Sequence, residues 1–538
     1  MIKFLTPVQL WQDFDPQAAP LDMSIAYSVE EGDLRRKGVY FTALSGEEGQ
    51  VRAFAEIKSA VAQPKRALIS VLTEPDQRPI TDSYDELLKR GFSIVTVDVS
   101  GLPDESGNAT KYSSEYEYAS FAAGIPDRYL ATPSAKASPV YLWAKITRRA
   151  ITLFEKLYPK AKAVVSVVGA LSAADVAWQV AAMDNRISAL VAVLGDYADP
   201  PVLEEDSSNA DSYIMALSAK SAARMIKCPC LIATCSNAHG GDVEKITEVV
   251  NQISENVPCT VTVTPKLNRQ IDEVDLLSTY KWLDKVLKGE PTPELRLVSE
   301  QHDDAVRFVV RAPEGKINSA VLHYSYNNTP AEYRHWHDIV MTKHEDGSYS
   351  AEPPVWEGDR EILAYATASM GGGMNLATKG VTTLVTSMRP YHSSQFLLDT
   401  ESDNGFYADN SARTFIFYKG DFGIKDDSNG VPGFHGKGLL RTNILSEEGR
   451  YEPASSLHIS VYSKTDSEVR ICLMKKEEQG CVLYTAVSDV EGDGWTRLSL
   501  ETDDFKTEDL IPMKDWDGLL GIILPDTDDK YYNNFLWM

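Results

Sequence analysis

Val167-Val168-Gly169-Ala170-Leu171-Ser172-Ala173-Ala174-Asp175-Val176-Ala177-Trp178 joins the end of a β-branched run over 163–168 to an alanine-rich helical stretch over 172–183. Small residues stand two before and two after Leu171, at Gly169 and Ala173, so the chain can reverse sharply from strand to helix there. The same alternation repeats outward from this turn. Short apolar runs at 67–72, 92–98, 187–194, 230–234 and 259–263 are separated by helical segments, of which 140–157 and 273–288 carry apolar residues at helical spacing. Continuous apolar runs of this kind mark strands buried on both faces. The expectation is a doubly wound, mostly parallel sheet with helices on either side, an α/β fold over residues 1–290. Residues 1–50 are mixed, with a strand near 38–42.

Gly289-Glu290-Pro291-Thr292-Pro293-Glu294 ends that pattern, because closely spaced prolines favour extended chain. Beyond it helical periodicity disappears. Strands at 305–311, 320–326 and 362–367 predict an Ig-like β-sandwich over 291–388. Strands near 413–418, 456–463, 468–475, 482–487, 496–500 and 518–524 predict a jelly roll over 389–538.

A chain of 538 residues has room for three such units. It carries 53 Lys plus Arg against 78 Asp plus Glu, a net charge of −25, which repels phosphate backbones and anionic membranes. A small-molecule or carbohydrate ligand is expected instead, with no nucleic acid and no membrane as partner. With early acids and no sustained apolar region the first residues do not fit the pattern of a secretory signal, and Gly169, Asp175 and Gln179 interrupt the most apolar segment, 163–183, too often for a membrane span. Six cysteines, four of them in strand-like runs, suggest buried thiols in a reducing compartment, so the expected location is the cytoplasm. No cofactor or metal is expected. Cys228, Cys230 and Cys235 lack a fourth ligand, and His335 and His337 lack a third.

In a doubly wound sheet, sites form at the carboxyl ends of the strands. The turn at Leu171 has the spacing of a nucleophile elbow, which presents a serine hydroxyl beside a helix N-terminus. Leucine offers no nucleophile.

Leu10-Trp11-Gln12-Asp13-Phe14-Asp15, the helix 141–150, Ala177-Trp178, Asp184-Asn185-Arg186, Ala233-Thr234 with Asp242 beyond, and the segment Trp282 to Gly289 follow one another in an order that resembles bacterial α/β-hydrolases of the acetylxylan-esterase and dienelactone-hydrolase-like type. The resemblance implies an α/β-hydrolase fold over about 8–290. It also implies a nucleophilic serine seven residues before the tryptophan and thirteen before the Asp of Asp-x-Arg, and both spacings land on Leu171. The family's acid position falls on Ser236 or Asn237, and its histidine position on Arg269, whose guanidinium stays protonated and cannot act as a base. The family's oxyanion turn corresponds to Leu72-Thr73-Glu74-Pro75. A glutamate there opposes an oxyanion, and the proline has no N–H to offer. Replacement at every position implies a catalytically inactive homologue, a pseudohydrolase, binding a carbohydrate or acylated small molecule. Leu171, Glu74, Asp196 and Arg269 then line the vacated pocket, with Arg269 favouring a carboxylate or acyl-sugar anion.

The rival is an active ester hydrolase shifted by one residue. Ser172 would be its nucleophile, His239, the only histidine before residue 290, its base, and Asp196 or Asp242 its acid. Against this, Ser172 also reads as a helix cap and His239 as a loop residue. Cys235 is a further nucleophile candidate, set against its reading as an inert core thiol. A structural or partner-binding protein is the third reading. The C-terminal region resembles galactose-binding jelly rolls through Gly494-Trp495, Asp503-Asp504-Phe505 and the final strand. Trp495, Trp516 and Trp537 are there either sugar platforms or core. Aspartate-rich turns at 426–430 and 526–529 read as calcium sites or as solvated turns.

Overall fold

The computed structural model describes residues 3–46, 49–60, 64, 66–73, 86–89, 91–159, 164–197, 207–301, 305–313, 315–326, 330–354, 360–385, 396–398, 407–409, 417–418, 422–426, 430–446, 455–478, 480–525 and 527–538. Its first unit is built on strands β1 (Ser24–Glu31), β2 (Leu34–Gly46), β3 (Gly49–Ser59), β4 (Arg66–Leu72), β5 (Ser93–Asp98), β6 (Lys111–Tyr112), β7 (Val164–Ala170), β8 (Ile187–Val193), β9 (Cys230–Cys235) and β10 (Cys259–Thr264). The order across the sheet is β1-β2-β3-β5-β4-β7-β8-β9-β10, with β6 pairing β3. From β5 to β10 neighbours run parallel, whereas β1, β2 and β3 pair antiparallel and β3 joins β5 antiparallel. The mixed residues 1–50 are therefore largely an edge hairpin. Strand β1 is exposed along almost its whole length, so it carries no apolar pattern to read.

Alternation within the parallel strands builds two cores. Leu190 and Ala192 of β8 face the helices Pro139–Leu157 and Ser172–Met183, while Ala189, Val191 and Val193 face the helix Glu273–Lys288. Each fully buried aliphatic side chain contributes roughly 1.5–3 kcal/mol, which is what holds helices to both faces.

The linker that ends this pattern breaks the helix but not the sheet. Gly289 terminates Glu273–Lys288 in the left-handed conformation (φ 72°), which glycine adopts without a Cβ penalty. Further on, strand Met374–Ala377 pairs antiparallel with β10 through Val261 and Ala377. Through it the sheet continues into strands Arg360–Met370, Ile317–Tyr326 and His337–Val340. A second sheet, Arg296–Gln301, Val306–Arg311, Tyr349–Ala351 and Thr342–Lys343, shares a core with the first that includes Phe308, Val310, Leu322, Tyr324 and Ala366. Trp336, Leu363 and Tyr365 from this middle region are packed into the α/β core itself.

In the C-terminal region two antiparallel sheets, each six-stranded among the described residues, fill one core from both sides, with Ile459 and Val461 from one and Ile471, Leu473 and Ile522 from the other. Trp516 and Trp537 are 2% exposed and meet edge to face at 4.9 Å, so both belong to that core and cannot serve as sugar platforms; Trp495 is half-buried. Part of each aspartate-rich turn, 427–429 and Asp526, lies outside the described residues. Among the described residues no helix is long and apolar enough to cross a membrane.

Candidate functional site

The turn after β7 has the backbone geometry of an elbow. Leu171 sits at φ 52°, ψ −126°, its N–H donating to the Val193 carbonyl at 2.9 Å and its carbonyl accepting from Ala174 N at 3.0 Å. A non-glycine residue held there costs about 1–3 kcal/mol. Gly169 is required by contact: a Cβ on it would lie 2.0 Å from the Ala173 carbonyl oxygen, because the helix returns directly over the strand end. The conformation that elsewhere displays a nucleophile here displays an isobutyl group.

Around this apex lies a cavity of about 470 Å³, lined by Leu171, Ser172, Leu194, Asp196, His239 and Arg269 together with Phe121, Trp143 and residues 125–129. It occupies the carboxyl ends of the parallel strands, and the sequence-expected residues Leu171, Ser172, Asp196, His239 and Arg269 do converge on it. Glu74 lies outside the described residues.

The polar groups are largely engaged with one another. Ser172, buried, shares a 2.5 Å hydrogen bond with the Thr73 hydroxyl. Asp196 forms an ion pair with Arg128, and Arg128 also donates to the Tyr129 hydroxyl at 2.5 Å. Beneath them Asp175, one turn into the elbow helix, approaches Arg128 at 3.8 Å. Burial pushes the Asp175 carboxyl up to about 7, against the pull of Arg128. Burial likewise disfavours the charged form of Arg128, but Asp175 and Asp196 outweigh it and hold the guanidinium above its ordinary range. Asp196 is therefore committed to a cation other than His239. His239 is largely exposed, and its Nδ1 lies 3.7 Å from Glu332 of the middle region. Arg269 is exposed at φ 59° and makes no ion pair among the described residues.

The other expected positions have taken structural work. Asp242 caps the helix Val243–Val250, accepting from Glu244 N at 2.8 Å and Lys245 N at 3.4 Å, and is not among the residues that line the cavity. The Ser236 hydroxyl donates to Asn237 Oδ1 at 2.9 Å and accepts from Lys266 N at 2.7 Å. Asn237 donates to the carbonyls of Ala331 and Arg334, both at 2.8 Å. Lys266, in the loop after β10, pairs with Asp338 at 2.9 Å, and Asp338 also meets His323 at 2.7 Å. Burial raises the Asp338 carboxyl, but His323 and Lys266 prevail and hold it well below the usual range. Both loops that resemblance marks for acid and base thus hold the middle region in place. Burial pushes the Cys235 thiol up to about 12, which removes it as a nucleophile near neutral pH. His335 is buried, its ring centroid 4.6 Å from that of His337, and among the described residues no group of three or more metal-ligating side chains occurs.

The residues that carried the resemblance form a scaffold behind the site. Asp184 is buried between Arg148 (3.2 Å) and Arg186 (2.7 Å), the Arg148 guanidinium lies over the Trp11 ring at 4.9 Å, and Trp11 donates to Gln179 at 3.2 Å. Burial raises the Asp184 carboxyl, but hydrogen bonds and charge from Arg186 and Arg148 overcome this and lower it. Sequence reasoning missed Arg128, Tyr129 and Glu332. The first two lie in an irregular loop without a motif, and Glu332 lies 93 positions after His239, so no local signal links it to the pocket.

No family profile and no curated protein matches the chain. Among solved structures, it is similar to acetyl xylan esterase 1 from Thermoanaerobacterium sp. (TM-score 0.39, 13% identity, 50% of this chain and 89% of that one). A glucuronoyl esterase from Solibacter usitatus gives a TM-score of 0.36 at 12% identity over 52% of this chain and 89% of that one. A 2,6-dihydroxy-pseudo-oxynicotine hydrolase gives 0.34 at 16% identity over 47% and 69%. At these scores the likenesses carry no weight of their own, and the function of the site has to be read from its own geometry.

Proposed function

We propose that the α/β unit is a pseudohydrolase, which binds a small carbohydrate or acylated molecule in the cavity at Leu171 without cleaving it, the middle unit being an Ig-like sandwich and the C-terminal one a jelly roll. The observation that carries this reading is Leu171 itself: the elbow keeps its strained backbone and its open cavity, but its apex has no atom able to attack. The surrounding groups support it, since Asp196 is neutralised by Arg128, Asp242 is used as a helix cap, and an arginine stands where the resemblance implies a base. The rival reading, an ester hydrolase working through Ser172 and His239, draws on their presence in the same cavity.

Hydrolysis of a short-chain p-nitrophenyl ester by wild type, Ser172→Ala and His239→Ala separates the two. Turnover equal to buffer background in all three is the expected result. Turnover by the wild type that both substitutions abolish would establish the displaced site and end the binding-only reading.

A further inference from the structure

We infer that the cavity at Leu171 takes an amphipathic anion, a carboxylic acid with an acyl or aryl body, in preference to an uncharged sugar. The inference rests on the binding reading above and names the ligand class of that same site. Its basis is which groups in the cavity still have capacity to bind. Sugar recognition needs several donors and acceptors with valence to spare, because each buried hydroxyl left unpaired costs free energy. Here much of the polar lining is already engaged from within, Ser172 with Thr73, Asp196 and Tyr129 with Arg128, and Asp127 accepting from the Tyr129 N–H at 3.0 Å, so sugar hydroxyls would compete with these contacts.

Beside these engaged groups the lining offers apolar surface and a cation, Arg269, that makes no ion pair among the described residues. The Trp143 indole N–H is already spent on the Ala119 carbonyl at 2.9 Å, and Phe121 stacks near-parallel to Trp143 at 6.1 Å, so the pair offers ring carbon. Leu171 and Leu194 add aliphatic carbon beside them. Arg269, on the same cavity, is held exposed with no ion pair among the described residues, which leaves its fork of N–H groups available for a carboxylate. His239 lies on the same lining and already faces Glu332. A volume of about 470 Å³ lies within the usual range of small-molecule sites.

Isothermal titration of the full chain with octanoate, octanamide, phenylbutyrate and xylobiose, on wild type and on Arg269→Gln, tests this. The expected result is binding of both acids by wild type, with octanamide roughly tenfold or more weaker than octanoate, as the loss of one charge-assisted contact implies. In Arg269→Gln, an exposed site where folding is not at stake, acid and amide should converge. Equal affinity of wild type for octanoate and octanamide would overturn the inference, as would no heat with either acid. Binding of xylobiose in place of the acids would overturn it too, while leaving the binding reading intact. The binding reading fails separately, through ester turnover lost in Ser172→Ala.

Discussion

The side-chain amide of Asn237 donates to the backbone carbonyl of Arg334 at 2.8 Å, reaching from the carboxyl end of β9 into the middle region. Asn443 from the C-terminal region approaches the same carbonyl at 3.5 Å and the neighbouring Glu332 carbonyl at 3.2 Å, so one short turn is gripped from both sides. Tyr333 adds a 2.9 Å contact to Cys481, and Arg334 an ion pair to Glu244 at 2.5 Å. One of the two positions that resemblance marks for an acid, Asn237, is thus part of a joint between three regions.

Asn237→Asp, which places a carboxylate there, should damage the protein. A carboxylate facing two carbonyl oxygens loses both hydrogen bonds and buries an uncompensated charge, a cost of about 3–5 kcal/mol. Denaturant unfolding should show that loss, with no gain of ester turnover. Unchanged stability, or new turnover, would refute the joint.

Gly169→Ala puts a methyl group 2.0 Å from the Ala173 carbonyl oxygen. Backbone cannot yield there without moving the elbow helix, so a destabilisation of about 3 kcal/mol is expected, together with distortion of the cavity. A melting temperature within about one degree of wild type would show that the helix approaches the strand less closely than described.

Asp184→Ala leaves Arg148 and Arg186 without their shared carboxylate. Removing one partner from such a cluster costs about 3–5 kcal/mol because buried charge is left uncompensated. Urea midpoints should fall from wild type through Asp184→Asn to Asp184→Ala, the alanine variant being least stable. Indistinguishable midpoints would mean that the cluster is more hydrated than its burial implies.

Asp175 gives the fold a pH dependence. Its carboxyl is raised to about 7 from an ordinary 3.8, so between those values the folded protein holds a proton that the unfolded chain has released. Folding takes up that proton, and the stability linked to this group falls as pH rises through the window. Between about pH 5 and about pH 8 wild type should lose roughly 2–3 kcal/mol more than Asp175→Asn, which has no carboxyl to ionise. Parallel pH profiles for the two proteins would place Asp175 as a permanent anion of Arg128.

The sequence by itself determined the α/β core and the location of the site. Apolar runs at 187–194, 230–234 and 259–263 became β8, β9 and β10 because strands buried on both faces need continuous apolar side chains, and the Gly169–Ala173 spacing fixed the elbow because only small residues permit that crossing. That Leu171 and Arg269 stand at the nucleophile and base positions is what the resemblance implies from the order of its motifs. Only the tertiary structure decided what surrounds them. The pairing of Arg128 with Asp196, the Asn237–Arg334 joint and the continuation of the sheet through Ala377 are contacts between residues distant in sequence. They depend on how packed elements meet, and hydrophobic periodicity along one segment carries no information about which polar side chain of another will lie opposite it.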